Sequence, residues 1–320
     1  MISSVLVPLD GSPEAEQVLP YAEALLPGGG SILLFTAVSD LGTLVASDPV
    51  LTEWQRTHRP EREAAYAAEL NAARAALQQI AARRQDSPAT WSVEVALGDP
   101  ASQILETITH RAPDLVVMAT QGRGALGRAI FGSVADRIVR NSPAPVLLVR
   151  PALAAPAPAT PTITRLLVPL DGSDLAEAAL PAATTLAQRL GAPIHLVRAT
   201  NSAQVLATLG GSGPFPAAPP ATIYEQLGSD LEREATTYLG EVARRLGAEG
   251  IAASWEVRDG SPYAEIASAV EPGDLLVMTS HGRGGVLRWL LGSVAEKLVR
   301  EAPAPVLLVP AANRGRAAEG

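Results

Sequence analysis

The chain has 320 residues, a hydrophobic fraction of 47%, a formal charge of −8 and no cysteine. That length suits about two domains. The composition excludes an intrinsically disordered chain, and the lack of cysteine excludes disulfides, thiolate metal sites and a cysteine nucleophile.

Residues 1–150 carry 12 basic and 16 acidic side chains, and residues 165–310 carry 11 and 16. Neither half has the basic balance of a nucleic-acid binder. No apolar run reaches the roughly 18 residues of a membrane span. MISSVLVPLDG leads into a strand pattern without signal-peptide anatomy, so a cytoplasmic location is expected.

Ser4–Leu9 reads as the first strand. Ser12 and Pro13 open a helix, with the hydroxyl as N-cap and the proline at the first helical position, and it runs to about Leu26. Ser31–Val38 is the second strand, and Asp40–Pro60 lacks periodicity. Glu61–Arg84 is an alanine-rich helix with Tyr66, Leu70, Leu77 and Ile80 at helical spacing. Trp91–Ala96 alternates as a strand, Gly98-Asp99-Pro100 turns into a helix over Ser102–His110, and Leu115–Thr120 is the fourth strand. Val134–Arg140 is a further helix and Pro145–Val149 a fifth strand. Alternating strands and helices predict right-handed crossovers and a mainly parallel sheet.

Residues 151–163, PALAAPAPATPTI, form a Pro/Ala linker. The order then repeats, with strands at Arg165–Leu170, Pro193–Ala199, Ala252–Val257, Asp274–Thr279 and Pro305–Val309. The insert Asn201–Thr222, with its GGSGPFPAAPP, is expected to be loop, and residues 311–320 a frayed tail. The duplication itself is explicit. DLVVMATQGRGALGRAIFGSVADRIVRNSPAPVLLV at 114–149 returns as DLLVMTSHGRGGVLRWLLGSVAEKLVREAPAPVLLV at 274–309, and Asp10-Gly11-Ser12 returns as Asp171-Gly172-Ser173. The predicted architecture is therefore two tandem α/β domains, residues 1–150 and 164–310, each a five-stranded, doubly wound, Rossmann-like sheet.

In each copy a buried strand delivers a glycine loop, and a Gly-Ser pair then opens a helix whose first N–H groups suit an anion. Gly122–Gly127 matches the dinucleotide fingerprint GxGxxG, but it follows the fourth strand, lacks the acid about 20 residues on, and meets Leu287 in the duplicate. Gly127–Ser133 has a Walker-like spacing without the lysine. Both copies do keep Gly122-x9-Gly132-Ser133 and Gly282-x9-Gly292-Ser293. A plainer role for the serines is N-capping, with Asp136 and Glu296 three residues on completing a capping box.

Arg123, Arg128, Arg137 and Arg140 follow the first loop, and Arg283, Arg288, Lys297 and Arg300 the second. This local basic charge on an acidic protein suits a small phosphorylated ligand. Asp10 and Asp171 end the first strand of each copy, ahead of helices already capped by Ser12 and Ser173. At the C-terminal edge of a parallel sheet such a carboxylate can accept hydrogen bonds from a ribose, or it can simply hold an Asx turn. The histidines (His58, His110, His195, His281) show no metal spacing.

VPLDGS, G-x9-GS, SVAxxxVR and PVLLV together resemble the universal stress protein family in its tandem form. The resemblance covers both halves apart from linker, inserts and tail. It implies a five-stranded, mostly parallel α/β fold whose domains pair through their last strands, here as an internal pseudo-dimer open to further homodimerisation. ATP-binding members carry G-x2-G-x9-G-[S/T]. The resemblance implies phosphate contacts from Gly122, Gly132, Ser133 and Val134, and from Gly282, Gly292, Ser293 and Val294. Asp10 and Asp171 would hold the ribose, and Ala37 and Ala199 would lie near the adenine. Pro8, Leu9, Met118, Ala119 and Arg123 complete the first nucleotide set, and Pro169, Leu170, Met278, Thr279 and Arg283 the second. The first glycine of the pattern is Ala119 in one copy and Thr279 in the other. The function implied is a non-catalytic, ATP-binding stress-response or signalling module. Mg²⁺ would sit on the phosphates, and the protein partner is unidentified. The alternatives are a slow ATPase or self-phosphorylating enzyme using Ser133 or Ser293, and a scaffold without nucleotide.

Overall fold

Short apolar runs become strands buried on both faces, as a parallel sheet covered by helices requires. In the computed structural model, residues 2–39, 59–121, 131–151, 161–209, 221–280 and 291–310 are described. The chain divides into two units, Met1–Pro161 and Thr162–Gly320.

The first unit contains β1 (Ser4–Pro8), α1 (Pro13–Glu16), α2 (Leu19–Ala24), β2 (Gly30–Val38), α3 (Arg59–Ala82), β3 (Ala89–Leu97), α4 (Pro100–Arg111), β4 (Leu115–Ala119), α5 (Ser133–Asn141) and β5 (Val146–Val149). Its strands run in the order β3-β2-β1-β4-β5, all parallel. Right-handed crossovers then place α1–α3 on one face and α4–α5 on the other. Ion pairs mark the two layers: Arg83–Glu16 and Arg84–Glu23 join α3 to α1 and α2, while Arg137 on α5 reaches Asp99, the cap of α4.

The second unit contains β6 (Arg165–Pro169), α6 (Asp174–Glu177), α7 (Leu180–Leu190), β7 (Ile194–Thr200), α8 (Ser202–Leu209), α9 (Ala221–Ala248), β8 (Ala253–Asp259), α10 (Pro262–Ala269), β9 (Asp274–Thr279), α11 (Ser293–Glu301) and β10 (Val306–Val309). The strand order is β8-β7-β6-β9-β10, again parallel.

The elements differ from the sequence expectation in three places. The single helix expected from Ser12 to Leu26 is two, α1 and α2, because Pro20 cannot donate to the carbonyl of Glu16. The chain turns at Gln17–Val18 and restarts with Pro20 at the second helical position. In the second unit Pro181 makes the same break between α6 and α7. The insert after β7 is not all loop: α8 forms at its start, where Asn201 Oδ1 accepts from Gln204 N and Asp259 from Ser202 N, an Asx cap. Its other end, from Ala221, already belongs to α9. Arg59 and Pro60 likewise begin α3. The stretches 40–58, 152–160, 210–220 and 311–320 lie outside the described residues.

The start of β1 and of β6 is anchored differently. Asp114 Oδ2 accepts four bonds, from the backbone and hydroxyl groups of Ser3 and Ser4. Its counterpart Asp274, 3% exposed, takes a two-pronged Arg165 guanidinium at 2.8 and 2.7 Å.

Candidate functional site

In the first unit the strand order reverses at β1, which pairs with β2 on one side and β4 on the other. In such sheets the crevice beyond the carboxyl ends of the strands at the reversal is where ligands bind. A cavity of about 940 Å³ opens there, within the usual range of small-molecule sites. Its walls bring together the sequence-predicted Pro8, Leu9, Asp10, Ala37, Met118, Ala119, Gly132, Ser133 and Val134.

Asp10 leaves β1 and Gly11 follows at φ 76°, a left-handed turn suited to glycine. Asp10 Oδ1 accepts from Ser12 N at 2.9 Å and Ser12 Oγ at 2.6 Å, and Ser12 Oγ in turn accepts from Ala15 N. The Asx turn is therefore formed, and the N-terminus of α1 is capped. Asp171, Ser173 and Ala176 repeat the arrangement.

On the opposite wall the chain leaves β4 and returns at one hydrogen bond, Gly132 N to Thr120 O, 2.8 Å; Gly292 N to Ser280 O is the same. The serines are not N-caps. The cap of α5 is Gly132, with no side-chain cap bond, and Ser133 is the first helical residue; Gly292 and Ser293 stand likewise on α11. The capping box fails because Asp136 turns forward to Arg140, at 2.7 Å, and Glu296 to Arg300. The first turn of α5 thus lines the cavity with no side-chain cap bond among the described residues, whereas the first turns of α1 and α4 are served by Ser12 and Asp99.

Gly132 adopts φ −75°, ψ 148°, open to any residue. A Cβ there would meet its nearest neighbour, Thr120 O, at an ordinary 3.4 Å. Among the described residues, neither backbone nor packing demands glycine at this position.

The expected basic patch is partly spent. Arg137 pairs with Asp99 at 2.6 Å and Arg140 with Asp136, while Lys297 lies over the Tyr263 ring. Hydrogen bonds from the Ser102 side chain and backbone, with Arg137 adding to them, hold Asp99 below the ordinary carboxylate range. Gly122, Arg123, Arg128, Gly282, Arg283, Arg288 and His281 lie outside the described residues.

Three features of the site escape a sequence reading. Ala72, Ala73 and Ala76 of α3 form a wall of methyl groups over the cavity; the alanine-rich composition was the available signal. Glu16 and Arg83, ion-paired across α1 and α3, stand at its edge. Thr120, 1% exposed and also in the wall, has a hydroxyl with no hydrogen-bond partner among the described residues, an orphan of the kind that costs roughly 1–3 kcal/mol.

In the second unit, Pro169, Leu170 and Asp171 end β6 and Ala199 lies on β7. Met278 and Thr279 end β9, and Gly292, Ser293 and Val294 open α11. The corresponding carboxyl ends are thus assembled from the predicted residues. His195 is elsewhere: it sits near the amino ends of β7 and β8, between Ser254 Oγ at 2.8 Å and Glu256 at 3.3 Å.

Among the described residues no helix is long and apolar enough to cross a membrane. The chain is 28% identical over 242 residues, 74% of each chain, to a universal stress protein of Mycobacterium tuberculosis. It is 30% identical over 150 residues to one from Thermus aquaticus, covering 47% of this chain and 100% of that one. A crystal structure of a universal stress protein from Archaeoglobus fulgidus superposes with a TM-score of 0.62 at 20% identity, over 96% of this chain and 98% of the other. The model of the Universal stress protein family matches residues 1–150 and again residues 162–310. With two parallel five-stranded units, and a family match to each, the chain belongs to the universal stress protein family.

Proposed function

We propose that the first unit binds an adenine nucleotide, ATP with Mg²⁺ on its phosphates, and that the chain acts as a non-catalytic stress-response or signalling module. The observation that carries this is the cavity at the β1/β4 reversal. It joins an uncapped helix N-terminus, a glycine that the fold does not require and a carboxylate at the end of β1. Ser133 and Val134 would offer backbone N–H groups to phosphate. Asp10, already turned toward its own loop by Ser12, would accept from the ribose. Ala37, Met118 and the methyl wall of α3 would take the base.

Binding without turnover fits the charged groups of the described lining: Asp10 is engaged by Ser12, and Glu16 is paired with Arg83. The test is nucleotide analysis of ligand released by heat from purified protein, with calorimetric titration of ATP, ADP and AMP. Saturable binding is expected. Protein that carries no adenine nucleotide and takes up none would refute the reading, and ATP hydrolysis abolished by Ser133→Ala would move the assignment to an enzyme.

A further inference from the structure

The two units can be aligned position by position from their own contacts. Leu9 N donates to Phe35 O, and Leu170 N to Val197 O, so Thr36 on β2 corresponds to Arg198 on β7. Arg83 pairs with Glu16, and Arg245 with Glu177. This fixes α3 against α9, so that Ala72, Ala73 and Ala76 correspond to Glu234, Ala235 and Tyr238. Buried Leu77 and Ile80 then fall on buried Leu239 and Val242, as a correct alignment requires.

Thr36, Ala72 and Ala76 all line the first cavity. Their counterparts are large, polar and bound to one another. Arg198, 6% exposed, makes a two-pronged pair with Glu234 at 3.2 and 2.6 Å, and its guanidinium lies 5.2 Å from the Tyr238 ring centroid. The guanidinium is held by the carboxylate and the aromatic face together: Glu234, whose own side chain is 58% exposed, supplies the counter-charge that the buried Arg198 would otherwise lack. Ala73 is half-buried at the cavity wall, while Ala235 at the same place is wholly buried.

We propose that the units have divided their duties: the first cleft takes the nucleotide, and in the second the Arg198–Glu234–Tyr238 cluster fills the space between β7 and α9 and excludes it. The ligand in this inference rests on the nucleotide reading of the first cleft; the difference in shape does not.

The chain has no cysteine, so single thiols report each wall without background. Ala73→Cys and Ala235→Cys are compared for reaction with a small thiol reagent in the folded full-length chain. Ala73→Cys should react at least about tenfold faster, and Ala235→Cys should accelerate when Arg198→Thr, Glu234→Ala and Tyr238→Ala are added. Equal rates, or no acceleration in a folded variant, overturn the proposal. Should that variant not fold, the converse graft decides. Thr36→Arg with Ala72→Glu and Ala76→Tyr should protect Ala73→Cys; unchanged reactivity overturns the proposal. Titration with ATP should give about one site per wild-type chain and about two in the opened variant. Two sites in the wild type overturn the division of duties. No binding in any form removes the nucleotide reading, and the thiol rates still judge the difference in shape.

Discussion

Replacing Gly132 by valine separates a ligand role for this glycine from a structural one. Its backbone, φ −75° and ψ 148°, lies in the region β-branched residues favour, and a Cβ would rest 3.4 Å from Thr120 O. The variant should therefore fold, with a loss of no more than about 1 kcal/mol. The isopropyl group would stand before the N–H groups of Ser133 and Val134. Losing a single hydrogen bond to a charged phosphate costs about 1.5–3 kcal/mol, which is roughly a tenfold to 150-fold weaker Kd. Calorimetric titration with ATP reads the affinity, and thermal denaturation reads the fold. A variant with wild-type melting and a Kd within about twofold of wild type would mean that phosphate does not lie at this turn.

Other outcomes follow from the same geometry. Asp10→Ala removes the proposed ribose acceptor and the partner of Ser12; ATP affinity should fall about tenfold and stability by about 1 kcal/mol, read by titration and by urea denaturation. Arg165→Met leaves the buried Asp274 carboxylate without its cation and should cost about 3–5 kcal/mol in the second unit, visible as a lowered midpoint for one of two transitions. Burial pushes Asp114, Asp259 and Glu256 up, but hydrogen bonds outweigh it and leave all three lowered: from Ser3 and Ser4 for Asp114, from Ser202 and Thr200 for Asp259, and from Arg258 and His195 for Glu256. A carboxyl depressed in the folded state binds its proton later than in the unfolded chain. Its contribution is complete above the ordinary values of 3.8 and 4.5 and is lost as pH falls below them. Acid titration of stability should show that loss, and Ser3→Ala with Ser4→Ala should reduce it. An unchanged acid limb would contradict the assignment.

The strands and their mainly parallel arrangement were legible because apolar runs fixed the strands and the duplication repeated them in the same order; the strand order itself, with its reversal at β1, came from the structure. Asp10 and the Gly132-Ser133 turn were legible because glycine and acid punctuate strand ends, whereas Ala37 was named only through the family resemblance. The capping assignment at Ser133 was not, since Asp136 had two partners within reach and Arg140, four residues on, won the competition. Pro20 and Pro181 carried the signal for a broken helix, but helical periodicity on either side concealed it. The wall of α3 escaped because alanine is a strong helix former and so looks like propensity rather than shape. The Arg198–Glu234 contact escaped for a different reason: 36 residues separate its partners, and only the packing of α9 back across β7, antiparallel to the strand, brings them together.

A structure of the full chain with ATP and Mg²⁺ tests the central claim most directly. The account predicts ligand density in the first cleft, with phosphates against the Ser133 and Val134 N–H groups, a ribose at Asp10 and the base between Ala37 and α3. A first cleft that stays empty at saturating nucleotide, or a nucleotide bound away from the Gly132 turn, would contradict it.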